Sequence, residues 1–95
     1  MTQKVKTEVD VRMYYQRPSV IRTWLLVLNL FAGNGIPLVA TASDIARVSG
    51  SNGARPLSRT TIGKAIKTLE KIGALSVRRQ GHAMVLTSDV ELPNG

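Results

Sequence analysis

The chain of 95 residues contains no cysteine. It therefore has no disulfide framework and no metal site held by thiolates, and a reducing cytoplasm is its expected location. No basic-then-apolar leader opens the sequence, so we expect no export. Aromatic residues are few, one Trp, two Tyr and one Phe, but a hydrophobic content of 43% is that of an ordinary globular domain.

Residues suited to acid–base chemistry are also scarce. His82 is the single histidine, and the six Asp and Glu residues are scattered, with no pair at a spacing typical of a catalytic or metal site. No glycine-rich phosphate loop follows a predicted strand. We therefore expect no enzymatic activity, no metal and no cofactor.

Charge is missing from one long internal stretch, because no Asp, Glu, Lys or Arg lies between Arg22 and Asp44. A stretch of this length is comparable to a membrane helix, but the turn sequence GNGIP at residues 33–37 divides it. Neither half reaches the roughly 18 apolar residues that a membrane crossing needs. We therefore expect no membrane insertion.

The charge that is present has mostly one sign. The formal net charge is +7, and residues 45–88 alone carry eight Lys and Arg against one acid, Glu70, a balance of 8 − 1 = +7. A basic half on a small domain favours a polyanionic partner, most often nucleic acid. A solvated surface adjusted for solubility is the alternative, and composition alone leaves it open.

The hydrophobic pattern predicts an α+β fold with three helices, a small antiparallel sheet and an extra N-terminal strand. Strict alternation predicts the extra strand over residues 4–13. The first helix is predicted to begin near Pro18 or Ser19. Its predicted core residues are Trp24, Leu25, Leu28 and Phe31.

Capping residues and glycines delimit the remaining elements. Thr41 predicts an N-cap that accepts from the amide three residues on, and Asp44 is an acid in the first turn, where it favours the helix dipole. Ser58 predicts another N-cap, and Gly73 predicts a left-handed helix end. The predicted elements are a short strand within 36–40, a helix from Thr41 to about Gly50, a helix from Ser58 to about Ile72, and strands at 74–79 and 83–88 around the turn 80–82. The predicted domains are an arm at 1–17, the main domain at 18–88 and a short tail at 89–95.

On the helix predicted from Ser58 to Ile72, apolar and basic residues separate onto opposite sides. The apolar arc, which must face the core, consists of Ile62, Ala65, Ile66, Leu69 and Ile72. The opposite side, here called the lysine face, consists of Thr60, Lys64, Lys67 and Lys71. Neighbouring lysines at these spacings repel each other by about 0.2–0.5 kcal/mol per pair, and an incoming phosphate backbone would reverse the sign of that term. The lysine face therefore favours an anionic partner over the alternative of a solvated surface.

Two neighbouring features add to the lysine face. Hydroxyls and free backbone amides at Ser58, Thr60 and Thr61 lie in the first helical turn, where they can bind phosphate or reach base edges. Arg78 and Arg79 precede a thin, glycine-containing turn, and arginines on a thin hairpin are suited to the minor groove of DNA.

Residues 58–75, SRTTIGKAIKTLEKIGAL, resemble the recognition helix and first wing strand of winged helix-turn-helix DNA-binding proteins, the type found in bacterial, plasmid and phage regulators. TASDIA at 41–46 resembles the preceding helix, and the resemblance spans residues 38–87. It implies that helix 58–72 enters the major groove and that the 79–82 turn acts as the wing. The DNA-binding residues that it implies are Ser58, Arg59, Thr60, Thr61, Gly63, Lys64, Lys67, Lys71, Arg78, Arg79, His82 and Arg55.

One segment departs from this family pattern. The connection between the two helices, residues 49–57, is about nine residues long, against the three or four of a tight turn. The subfamily therefore stays open, and Arg55 is placed on a loop near the phosphate backbone.

The resemblance implies sequence-specific binding to double-stranded DNA, and we expect a homodimeric transcriptional regulator, a repressor rather than an activator, associated with the nucleoid. A DNA-binding component of a plasmid or phage replication, partition or conjugation system is an alternative, as is a winged-helix protein–protein adaptor. The strand at 4–13 has no place in the minimal winged-helix plan, so we expect it to supply dimerisation. The sequence identifies neither an operator nor a small-molecule effector.

Overall fold

The computed structural model describes residues 13, 15–50, 53 and 55–88. This part of the chain is an α+β fold with three helices and a three-stranded antiparallel sheet, which confirms the predicted fold class at that level. In chain order the elements are α1 (Pro18–Asn34), β1 (Leu38–Ala40), α2 (Ala42–Ser49), α3 (Arg59–Lys71), β2 (Ser76–Gln80) and β3 (Ala83–Thr87).

Most of the expected N-terminal strand, residues 4–12, lies outside the described residues. Its last residue, Met13, is described, and its backbone is helical instead of extended. The Met13 side chain is buried and belongs to the hydrophobic core. The strand prediction is therefore wrong at Met13, because packing of the side chain into the core overrides the local alternation.

Helix α1 is apolar nearly all round, so its contacts with α3, α2 and β1 select the buried arc. That arc consists of Val20, Thr23, Trp24, Val27 and Phe31. Trp24 and Phe31 are buried as predicted and Leu28 is half-buried, but Leu25 is 54% exposed, contrary to the prediction. Among the described residues, no helix is both long and apolar enough to span a membrane.

The sheet has the order β1–β3–β2, with both pairs antiparallel. Because side chains alternate along a strand, one side of the sheet is buried in the core. The core-facing residues of the two paired strands β1 and β3 are Leu38, Ala40, Met84 and Leu86. On the other side of β1, Val39 is 59% exposed.

Strand β2 begins at Ser76, two residues later than predicted, because the preceding residues end α3. The amides of Ala74 and Leu75 both donate to the Leu69 carbonyl, at 2.9 and 3.3 Å. The amide of Gly73, whose φ is +84°, donates to the Glu70 carbonyl at 3.1 Å. Together these bonds form a Schellman motif, which confirms Gly73 as the left-handed stop.

The predicted Thr41 cap of α2 is present, and a reciprocal bond to Asp44 makes it a full capping box. The Asp44 amide donates to the Thr41 hydroxyl, and the Thr41 amide donates to the Asp44 carboxylate, each at 3.0 Å. The bond from the Thr41 amide is the main reason that the pKa of the Asp44 carboxyl lies below its usual range. Helix α2 therefore begins where the sequence predicts.

The long connection between α2 and α3 is closed at its base by Ser49. The Ser49 hydroxyl donates to the Ala46 carbonyl at 2.6 Å and accepts from the Leu57 amide at 2.8 Å. The Ser49 carbonyl accepts from the Arg22 guanidinium of α1 at 2.7 Å. Because Ser49 and Leu57 are joined directly, the last residue of α2 is held beside the residue two positions before α3.

We expect Ser49→Ala to lower the free energy of unfolding by about 1–3 kcal/mol, because it leaves the part-buried Leu57 amide without its acceptor. Denaturant unfolding followed by the fluorescence of the single Trp measures the change. Ser43→Ala, on the exposed side of the same helix, is the matched control and should stay within about 0.5 kcal/mol of the parent. Equal losses in the two variants would contradict this role of Ser49.

Candidate nucleic-acid interface

The orientation of α3 is fixed by the burial of one side. The predicted apolar arc is confirmed, since Ile62, Ala65, Ile66 and Leu69 are all buried and Ile72 is half-buried. Ser58 caps the N-terminus through a bond from the Thr61 amide to its hydroxyl at 3.1 Å. Because one arc is buried in the core and both ends of the helix are defined, the direction of the remaining side chains is fixed.

All four members of the lysine face, Thr60, Lys64, Lys67 and Lys71, are exposed, on the side of α3 opposite the core. The ion pair found among the described residues is Asp44–Arg47 on α2, so no described carboxylate neutralises these lysines. Glu70, the acid on α3, is exposed and forms no salt bridge to a described residue. The lysines therefore retain their mutual repulsion in the isolated chain.

Gly63 borders the lysine face and has no structural reason to be glycine. Its φ is not positive, and a Cβ added there would meet no other atom within 4 Å. Glycine inside a helix is about 0.5–1 kcal/mol less favourable than alanine. The absence of a side chain leaves a shallow place beside the lysines, which suits the close approach of another molecule to the helix backbone.

The hydroxyls of the first turn are not equivalent. The Ser58 hydroxyl donates to the Thr61 hydroxyl at 2.9 Å and also accepts the capping bond from the Thr61 amide. The hydrogen-bonding groups of these two side chains are therefore largely occupied within the chain. Thr60 is exposed and forms no side-chain hydrogen bond to a described residue. Arg59 is exposed as well. Thr60 and Arg59 are therefore the first-turn side chains best placed to contact a partner.

The two arginines of the hairpin lie on opposite sides of the sheet. Arg79 pairs with Met84, whose side chain faces the core, so Arg79 lies on the side of the sheet where the helices pack. Arg78 pairs with Val85 and lies on the other side, with Val39. Both arginines are exposed, but the sequence had suggested that they act together, and the strand geometry separates them.

The hairpin turn is shorter than predicted, because Gln80 belongs to β2 and the loop is Gly81–His82 alone. Gly81 has φ +64° and His82 does not have positive φ, the combination typical of a type II′ turn. His82 is exposed at the tip. Arg55 is exposed in the α2–α3 connection, and no side-chain bond joins it to another described residue.

Sequence reasoning missed the residues that position α3. Arg22 and Ser49 join α1, α2 and the start of α3, although neither lies at the surface of the candidate site. No motif marks them, because their role depends on a contact between residues 27 positions apart. Among the described residues, no group of three or more His, Asp or Glu could hold a metal ion.

Comparison with protein-family models, with curated proteins and with solved structures finds no match to this chain. The assignment of the site therefore depends on its own geometry and charge.

We expect Gly63→Ala to raise the free energy of unfolding by up to about 1 kcal/mol, because alanine has the higher helix propensity and its Cβ meets no neighbour. We expect the same substitution to weaken binding of duplex DNA, because the methyl group occupies the shallow place beside the lysines. Thermal unfolding and fluorescence anisotropy with labelled duplex measure the two effects. A variant that is more stable and binds as well as the parent would show that Gly63 does not lie in the interface.

Proposed function

We propose that this protein binds double-stranded DNA with sequence specificity, placing α3 in the major groove and the β2–β3 hairpin against the minor groove or the phosphate backbone. The observation that supports this most directly is the lysine face, which is exposed, has no acidic partner among the described residues and lies opposite the packed arc of α3. In biological terms we propose a homodimeric transcriptional regulator of the repressor type.

The dimensions of α3 fit a major groove. Its 13 residues are about 20 Å long. From Thr60 to Lys71 the lysine face extends over about 16 Å, which corresponds to roughly five base pairs. A helix of this size enters a groove about 12 Å wide. Thr60, Gly63 and Lys64 would lie nearest to the bases, and the later lysines nearest to phosphate.

The distribution of aromatic residues favours duplex over single-stranded nucleic acid. Proteins that bind single strands stack the bases on exposed aromatic side chains. Here α3 and the hairpin contain no Phe, Trp or Tyr. Trp24 and Phe31 are buried in the core, and Tyr15, which is 84% exposed, precedes α1 and belongs to neither α3 nor the hairpin. The proposed interface therefore offers charge and hydrogen bonds without stacking surfaces, a composition that suits a duplex.

A protein–protein adaptor is the competing function, and the charge pattern disfavours it. An adaptor surface would gain stability from acids placed among the lysines at helical spacing. On α3 the one acid is Glu70, and it pairs with none of the described lysines. Selection of bound fragments from random duplex DNA by the purified protein tests the proposal directly, since enrichment of one sequence supports it and no enrichment contradicts it.

We expect the affinity for duplex DNA to fall steeply with salt. If about five basic groups per subunit contact phosphate, a dimer neutralises about ten, and log K should fall with log salt concentration at a slope near −9. Titrations by fluorescence anisotropy at several potassium chloride concentrations measure the slope. A slope shallower than about −2 would favour the adaptor.

We expect Lys64→Ala and Arg59→Ala each to weaken binding to the selected sequence by roughly 1–3 kcal/mol, because these side chains are placed to read bases. Arg79→Ala should weaken binding to selected and random sequences alike, because the hairpin contacts the backbone. Arg78→Ala removes the same charge from the opposite side of the sheet and should have a smaller effect than Arg79→Ala.

Arg17→Ala is the control for loss of charge alone, since Arg17 is exposed and precedes α1, outside α3 and the hairpin. Equal losses in Arg17→Ala and Lys64→Ala would mean that net charge, and no particular contact by α3, accounts for the binding.

A further inference from the structure

The outer face of α1 is an uncharged surface on a strongly basic protein. The formal net charge is +7, yet no charged residue lies between Arg22 and Asp44. Arg22, at the edge of the face, is bonded to the Ser49 carbonyl at 2.7 Å. Each other helix carries charged side chains at its surface. A surface without charge on such a molecule is where a second copy of it meets the least electrostatic repulsion.

The residues of this outer face are arranged around Asn29. Asn29 is exposed and forms no side-chain hydrogen bond to a described residue. One turn before it lie Leu25, which is 54% exposed, and Leu26, which is half-buried and packs in part against the core. One turn after it lie Ala32 and Gly33, both exposed. Large residues on one side of Asn29 are thus matched by small residues on the other.

Gly33, like Gly63 on α3, is not explained by the fold of the chain. Its φ is not positive, and an added Cβ would meet no atom within 4 Å. A helical glycine without such a reason lowers the stability of the isolated chain. It also allows another helix to approach closely at that point.

We propose that the outer face of α1 packs against the same face of a second copy, with the two helices antiparallel and a two-fold axis at Asn29. Under this symmetry Leu25 of each copy lies opposite Gly33 of the other, and Leu26 lies opposite Ala32, so that large residues pack onto small ones. An asparagine amide has both donors and an acceptor. At the axis the two Asn29 side chains therefore bond each other reciprocally, as an isologous interface requires.

This arrangement favours a second copy over other occupants of the face. An unrelated apolar partner would leave the central amide of Asn29 without a hydrogen bond, at a cost in affinity. A lipid surface attracts helices that border their apolar face with free cations, whereas the cation at this border, Arg22, is bonded to Ser49. A second copy of the chain matches this face in shape and also supplies the hydrogen-bond partner for Asn29.

The size of the face sets the strength of the association. A 17-residue helix is about 25 Å long and about 10 Å wide, so its footprint is on the order of 250 Å². Stable interfaces bury about 800 Å² on each partner. We therefore expect a dimer that dissociates at micromolar concentrations or above. The sequence alone had suggested residues 4–13 for this role, and the α1 interface requires none of them.

Disulfide cross-linking tests the interface on the full chain without DNA, so the outcome does not depend on the proposed function. The chain has no native cysteine. Asn29→Cys should form a dimer under mild oxidation, because residues at the axis approach their own copies within disulfide range. Ala32→Cys is the matched control on the same face. Its Cα atoms are displaced by about 9 Å along the helices, beyond the roughly 7 Å that a disulfide spans. Cross-linking that is no faster at position 29 than at position 32 would overturn the proposal.

A second variant keeps the test independent of oxidation. Gly33→Leu places a large side chain opposite Leu25 and should reduce the fraction of dimer at least tenfold, while circular dichroism and thermal unfolding show an intact fold. Sedimentation equilibrium measures the mass, which for the unaltered chain should rise with concentration from 10.3 kDa toward twice that value. An unaltered chain that stays at the monomer mass at all concentrations, or a Gly33→Leu chain that dimerises as well, would refute the α1 interface.

Discussion

Burial of one arc of α3 is the constraint on which the candidate site depends. Ile62, Ile66 and Leu69 are fully buried, and each such side chain contributes about 1.5–3 kcal/mol of hydrophobic stabilisation. A helix turns by about 100° per residue, so this burial directs the lysine face outward whatever the lysines themselves interact with. Rotating α3 by one residue would expose an isoleucine and bring a lysine toward the core, at a cost of several kcal/mol. The position of the lysine face is thus set by the core, and the Ser58 cap sets where along the chain the helix begins.

The surface residues of α3 destabilise the helix, whereas its buried residues stabilise it. The lysines repel one another, and Gly63 lowers helix propensity, with no contact among the described residues that offsets either effect. Each term is a few tenths of a kcal/mol to about 1 kcal/mol, small enough for the packed arc to sustain. Both terms change sign or lose importance when a polyanion lies against the helix. Under the proposed function the fold therefore retains unfavourable surface features that become favourable on binding, a pattern common at functional sites.

The sequence predicts well the features that short-range chemistry determines. The Thr41 cap, the Ser58 cap and the Gly73 stop depend on residues within a few positions of one another, and all three are confirmed. Features that depend on tertiary contacts were predicted wrongly or were missed. Leu25 was expected in the core, but α1 is apolar on nearly every side, so its contacts with α3, α2 and β1 decide which arc is buried. Similarly, no local signal indicates that Ser49 closes the α2–α3 connection, because the bonds to Arg22 and Leu57 exist only in the folded chain.

The two proposed surfaces are mechanically connected through α1. Helix α1 packs directly against α3, and its Arg22 bonds the end of α2 at Ser49, which in turn holds the start of α3. In the proposed dimer, the two-fold axis at Asn29 relates the two α3 helices as it relates the two α1 helices. The dimer therefore has the two-fold symmetry of a DNA site with two related half-sites. A weak α1 interface is sufficient for this purpose, because DNA that holds one copy raises the effective concentration of the second next to it.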